Sequence, residues 1–292
     1  MAKTLDQGFA TFLSWLEPLS TEHNKAASHK DSVYSCLYNN FECTRLFETG
    51  SFGNGTGIRH YSDTDYFASI PNGQLYSSSS YTLTKVKEAL QTTFWQTSGI
   101  KVNSPAVEIP FGTYASESLE VTPCSFKGVI ETNDGNHQAY NIADGSGSWM
   151  LSSPGAHNAY VRKQDQRLGG KLKPLIRLIK AWKYYNNVPI SSFYLELRVT
   201  KYAESETDIV YDIDIKRIMK QLDTCTLASI QDPMGVSGLI PACSTDAKKT
   251  ETLSKLSTGL ARAEKAVESR TADLDKCFEW WQKFFNYEFP SR

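Results

Sequence analysis

Two aspartates with one residue between them, Asp63 and Asp65, follow a Gly50-Ser51 pair, with twelve residues from Ser51 to Asp63. On an extended strand successive side chains alternate faces, so both carboxylates lie on one side. Carboxylates held side by side repel unless positive charge separates them. A pair of magnesium ions meets that need through oxygen ligands, and two-metal sites perform in-line phosphoryl or nucleotidyl displacement. Gly50 and Ser51 have small side chains and backbone N–H groups that could cradle a triphosphate beside those ions. An acidic turn in a glycine-rich loop is the plainer alternative. The apolar continuation Tyr66-Phe67-Ala68 instead favours a strand that carries chemistry at its start.

Two ions need a further acid, expected from a neighbouring strand. Ser118-Leu-Glu-Val-Thr-Pro-Cys124 has that form. Glu120 would point away from Leu119 and Val121, either into the site or as the solvent face of an edge strand. Glu108 is a rival, although Pro110 follows it closely.

The elements that must position these residues are readable from hydrophobic periodicity. Residues 4–17 read as an amphipathic helix through Phe9, Phe12, Leu13 and Leu16, ended by Pro18. Residues 22–45 read as a longer helix with Val33, Cys36, Leu37 and Phe41 on one stripe. The strand bearing Asp63 and Asp65 ends near Pro71-Asn72-Gly73, and 82–97 is a third helix. Short β-branched runs follow at 100–102, 106–109, 119–122, 129–132 and 137–142. From about residue 155 the chain turns helical, with helices expected at 156–165, 169–186, 191–204, 210–223, 247–268 and 271–286. The order suits an α+β fold: a catalytic lobe with a mixed sheet over 1–150, then a helical lobe over 151–292. Ligand sites commonly lie in the cleft between such lobes.

Composition sets bounds. The 292 residues suffice for two modest lobes with real cores. A net charge of −1 argues against a surface built to wrap duplex nucleic acid, so no strong nucleic-acid binding is expected. Cys36, Cys43, Cys124, Cys225, Cys243 and Cys277 form no Cys-x-x-Cys pair and no zinc-ligand set with histidine. Asp6 and Glu17 near the start, with no long apolar run, point to a cytoplasmic protein with reduced thiols and no membrane segment.

The Gly-Ser turn followed by Asp-x-Asp resembles the active-site motif of the polymerase-β-like nucleotidyltransferases. Later stretches narrow the resemblance: Ser153-Pro-Gly-Ala-His-Asn-Ala-Tyr-Val161, Gly170-Lys-Leu-Lys-Pro-Leu-Ile-Arg-Leu-Ile-Lys-Ala-Trp-Lys183 and Pro189-Ile-Ser-Ser-Phe-Tyr-Leu-Glu-Leu197. With Asp232-Pro233 and the closing Trp-rich helix, they resemble the bacterial cGAS/DncV-like nucleotidyltransferases, from about Leu46 to Phe289-Pro290. Those enzymes make cyclic di- and trinucleotide second messengers in antiphage (CBASS) defence. The family usually has aspartate as its third acid, in a strand reading Asp-Val-Val-Pro. This chain has Glu120-Val-Thr-Pro, one methylene longer but still an oxygen ligand.

The resemblance implies Asp63, Asp65 and Glu120 as catalytic metal ligands for two magnesium ions, with manganese a possible substitute. It implies nucleotide contacts from Gly50, Ser51, Lys180, Ser192 and Phe193. Lys180 and Ser192 would touch the triphosphate, and Phe193 would stack on a base, with Tyr194 as the neighbouring candidate. Lys173, Arg177, Lys180 and Lys183 recur at helical spacing, which also fits a solvated cationic face. Plain core packing is the other reading of Phe193. His60 reads as a loop residue, and Trp280-Trp281 as an anchor for the last helix. The implied partners are ATP, GTP, CTP or UTP, and an effector encoded separately that senses the product. Two rivals remain: a linear template-free nucleotidyltransferase, such as an oligoadenylate or RNA-tailing enzyme, and an inactive nucleotide-binding sensor.

Overall fold

The computed structural model describes residues 4–19, 28–59, 61, 64–112, 117–132 and 134–292. Asp63 and His60 lie outside the described residues. The chain packs as two units, Pro18–Tyr160, and Met1–Glu17 together with Val161–Arg292.

In the first unit, strands β1 (Arg45–Glu48), β2 (Thr64–Ser69), β3 (Lys101–Asn103), β4 (Ala106–Phe111) and β5 (Glu117–Thr132) form a sheet in the order β1-β2-β5-β4-β3. β2 and β5 are parallel; the other neighbours in that order are antiparallel. The runs expected at 119–122 and 129–132 are one strand. A register shift between Phe126 and Gly128 lets β5 leave β2 and pair with β6 (Gly135–Ala143), which pairs in turn with β7 (Trp149–Ser152). Such a shift bends the strand without ending it.

Period-two alternation decides which face is covered. Tyr66, Ala68, Val107, Ile109, Leu119 and Val121 share one face with Val33, Leu37, Val86 and Leu90. The last four come from α2 (Lys30–Phe41) and α4 (Ser79–Thr93). The helix expected to run to residue 45 stops at Phe41. Glu42 turns left-handed, with φ 54°; its N–H reaches back to the Tyr38 carbonyl at 2.9 Å and the Cys43 N–H to the Leu37 carbonyl at 3.3 Å. That stop frees Arg45–Glu48 to pair with β2. Asp65, Glu108 and Glu120, each one residue out of phase with the core set, therefore lie on the face away from these helices.

The second unit is helical. α1 (Leu5–Leu16) is started by a capping box between Thr4 and Gln7. α5 (Pro154–Arg167) runs across the division of the chain into its two units. It is followed by α6 (Leu172–Tyr185), α7 (Ser192–Ala203), α8 (Tyr211–Thr224), α9 (Asp246–Ser269) and α10 (Leu274–Phe284). α1, expected with the catalytic lobe, packs here. The Phe9 ring meets Trp281 edge-on at 5.3 Å and Phe289 at 5.0 Å, and Phe12 meets Phe285 at 4.6 Å. Of the tryptophan pair only Trp281 is an anchor, fully buried. Trp280 is half-buried and carries Lys265 and Lys283 over its ring, at 4.6 and 4.3 Å.

Candidate active site

The antiparallel register of β1 on β2 pairs Glu48 with Tyr66. One step further the Thr49 N–H donates to the Asp65 carbonyl at 2.8 Å, so the chain must turn at Gly50 directly beside Asp65. Gly50 has φ +63°, and a Cβ built there would lie 1.8 Å from Asp65 Oδ2. Only glycine meets both conditions. The short helix α3 (Gly50–Asn54) carries Ser51 on from that turn. The Gly50-Ser51 pair and Asp65 are thus one tight assembly.

β5 brings the next acid to the same level. The parallel register aligns Asp65 with Glu120, and the antiparallel register of β4 aligns Glu120 with Glu108. Directly aligned residues on neighbouring strands share a face, so Asp65, Glu120 and Glu108 form one row of carboxylates. Glu108 is answered by Lys101, 3.2 Å away on β3. Glu120 Oε1 accepts from the Asn103 side-chain amide at 3.0 Å. The row therefore contains both rival acids, with Glu120 next to Asp65 and Glu108 one strand further out.

These donors fit a hard divalent cation: carboxylate oxygens side by side, one pressed against a glycine where any side chain would intrude. Among the described residues no three acids, histidines or cysteines form a metal-binding group. Asp65 and Glu120 are two of the three expected ligands, and the third, Asp63, lies outside the described residues.

The helical unit carries a second set. Lys180 lies on the buried side of α6, only 2% exposed, and its Nζ donates to Glu196 Oε2 of α7 at 2.6 Å. This excludes the solvated-face reading of Lys180. The lysine that meets Ser192 is Lys183, one turn on. Lys183 Nζ donates to Ser192 Oγ at 2.5 Å, and the Tyr184 hydroxyl lies 3.1 Å from the same oxygen. Burial pushes the Lys183 ammonium down to a pKa of about 8, with the Lys180 charge a lesser cause. Ser192 is the first residue of α7, after the N-cap Ser191, whose side chain accepts from the Tyr194 N–H.

Phe193 is 40% exposed, which rules out plain core packing. Tyr194 is fully buried and its hydroxyl donates to the Ala228 carbonyl at 2.7 Å, so it is a packing residue. Sequence reasoning passed over Lys183 and Tyr184. The signal was present in the lysine stripe: Lys183 is its last member, and Asn186–Ile190 is too short a connection to carry Ser192 far from it.

The family model for the Second Messenger Oligonucleotide or Dinucleotide Synthetase domain matches residues 3–165. Over 158 residues the chain is 28% identical to a probable cyclic nucleotide synthase of Bacillus cereus. That match takes in 52% of this chain and 46% of the relative, so it spans about half of that curated protein. A cyclic AMP-AMP-AMP synthase of an Acinetobacter species is 25% identical over 98% of the chain and 86% of its own length. The structure of Escherichia coli MS115-1 CdnC with ATP shares the fold, with a TM-score of 0.73 over 98% of both chains at 17% identity. The family match covers more than half of the residues and includes Gly50, Asp65 and Glu120, and the chain accordingly belongs to the second messenger oligonucleotide or dinucleotide synthetase family of nucleotidyltransferases.

Proposed function

We propose that this protein joins nucleoside triphosphates into a cyclic di- or trinucleotide, with release of pyrophosphate, as a second messenger in bacterial antiphage defence. The observation that carries this reading is the alignment of Asp65 with Glu120 across β2 and β5, directly beside the Gly50 turn. Names of similar proteins add support, since two of them are cyclic nucleotide synthases.

Asp63, Asp65 and Glu120 would hold two magnesium ions, or manganese in their place. Bound there, the ions would supply activation of an acceptor ribose hydroxyl and neutralisation of phosphate charge. The chain's own groups do the rest. The Gly50-Ser51 turn offers backbone N–H groups and a hydroxyl to the donor phosphates. Ser192 and Lys183 offer a hydroxyl and an ammonium to the triphosphate, and we assign that contact to Lys183 rather than Lys180. Lys180, held by Glu196, braces the helix pair and depresses the Lys183 pKa. Phe193 offers an exposed ring to a base. In each join a ribose hydroxyl attacks the α-phosphate of another nucleotide and pyrophosphate leaves, and the last such attack, the second for a dinucleotide or the third for a trinucleotide, closes the ring. We further propose that the product acts on a separately encoded effector.

The test is incubation with ATP, GTP, CTP and UTP plus magnesium, with mass analysis and nuclease digestion of the product. A phosphatase-resistant cyclic species is expected. A linear ladder or unchanged nucleotides would overturn the proposal.

A further inference from the structure

Three carboxylates stand in one row on adjacent strands, Asp65 on β2, Glu120 on β5 and Glu108 on β4. Like charges directly opposite one another weaken a sheet. The edge strand β3 faces this row with two different groups. Lys101, aligned with Glu108, ion-pairs with it at 3.2 Å. Asn103, two residues along and so on the same face, reaches past Glu108 to donate to Glu120 Oε1 at 3.0 Å. The two partners have opposite consequences. A lysine neutralises the acid it meets. An amide N–H occupies one lone pair of a carboxylate that has about four, and removes none of its charge.

We propose that Asn103 is a positioning residue for Glu120: its amide fixes the carboxylate of the longer side chain for a divalent cation, while Lys101 withdraws Glu108 from that role. This rests on the metal reading of Asp65 and Glu120 given above. Glutamate has one more rotatable bond than aspartate, so an unrestrained Glu120 would sample many carboxylate positions. Asn103 is well placed to limit them, because only Ser104 and Pro105 separate β3 from β4 and the Asn103–Ala106 pair closes that hairpin. Groups that hold a metal ligand without touching the metal commonly contribute 10–100-fold in affinity. The Asn103 bond is exposed, so the lower end applies, about tenfold.

The experiment is a Mn2+ titration of the full chain followed by electron paramagnetic resonance, without nucleotide, alongside thermal unfolding in EDTA. Variants are Asn103→Ala, Asn103→Leu, which keeps the bulk without the donor, Asn103→Gln, Glu120→Gln and the Asn103→Ala/Glu120→Gln pair. Asn103→Ala and Asn103→Leu should each weaken Mn2+ about tenfold, with unfolding in EDTA unchanged and Asn103→Gln retaining part of the affinity. Asn103→Ala should have no further effect when Glu120→Gln is already present. If Glu120→Gln weakens Mn2+ while every Asn103 variant stays within about twofold of the parent, well short of the usual loss, Asn103 has no positioning role and the metal reading stands. If Glu120→Gln itself leaves Mn2+ binding intact, the metal reading falls and this proposal with it. A loss of unfolding temperature in EDTA without a change in affinity marks Asn103 as structural only and overturns the proposal.

Discussion

At the scale of single residues, burial separates groups that the sequence presents as equivalent. Lys180 and Lys183 lie three positions apart on α6, yet one is sealed against Glu196 and the other meets Ser192. Removing one partner of a buried ion pair leaves the other charge uncompensated. Lys180→Ala should therefore cost about 3–5 kcal/mol of stability, read by urea unfolding. Lys183→Ala should instead weaken triphosphate binding for all four nucleotides alike, because phosphate contacts carry no base information. The depressed Lys183 pKa adds a pH signature. A bound triphosphate favours the charged ammonium, so above pH of about 8 binding requires proton uptake, and affinity should decline as pH rises. Lys183→Arg should flatten that decline in nucleotide titrations between pH 7 and 9.5. Stability moves the other way. The unfolded chain binds the Lys183 proton more tightly, so this residue's contribution grows from pH of about 8 up to its ordinary value of 10.5. Asp65→Asn and Glu120→Gln should each lower product formation by several orders of magnitude while leaving the fold intact, and Glu120→Asp should keep measurable turnover. Near-parental synthesis by Asp65→Asn or Glu120→Gln would remove that residue from the site.

At the scale of elements, the site depends on register. β1 must pair with β2 so that the chain turns at Gly50 beside Asp65, and β5 must lie parallel to β2 so that Glu120 sits level with it. A one-residue slip of β5 would turn Glu120 into the core face and Val121 out of it. Gly50→Ala should abolish activity without unfolding the chain, since the new Cβ would displace the Asp65 carboxylate and φ +63° disfavours any side chain. Product assay and circular dichroism together check this. In the helical unit the last helix is held by one side chain of its tryptophan pair. Trp281→Ala should cost about 3–5 kcal/mol, read from chemical unfolding. Trp280→Ala should cost about 1 kcal/mol or less, the worth of its exposed cation–π contacts with Lys265 and Lys283.

At the scale of the whole molecule, 31 basic residues balance 32 acidic ones. Counterion release drives tight duplex binding only from a surface with many cationic phosphate contacts. Duplex DNA should therefore not stimulate product synthesis. A large stimulation that disappears at high salt would show a basic surface that net charge conceals. No helix among the described residues is long and apolar enough to cross a membrane. All six cysteines are unpaired, and burial pushes the Cys43 and Cys277 thiols up to about 11. Those two should resist alkylation in the folded protein, and thiol labelling followed by mass analysis would show this.

The sequence by itself determined the order of the longer helices, because apolar spacing is local; β1, the short α3 and β7 were not legible in it. The periods that place α6 to α10 and the core face of β2, β4 and β5 are visible within a dozen residues. It also determined the candidates, Gly50, Asp65 and either Glu120 or Glu108, since a turn and the face of a strand are written in neighbouring residues. The tertiary structure decided what depends on partners distant in the chain. That Glu120 and not Glu108 stands beside Asp65 follows from strand order, which no local pattern encodes. That Lys183 and not Lys180 meets Ser192 follows from which side of α6 packs against Glu196; both lysines belong to one cationic stripe, and their shared period does not separate them. The merging of two expected strands into β5 and the placing of α1 among the helices rest on long-range pairing and aromatic packing, whose free energy appears only when the distant segments meet.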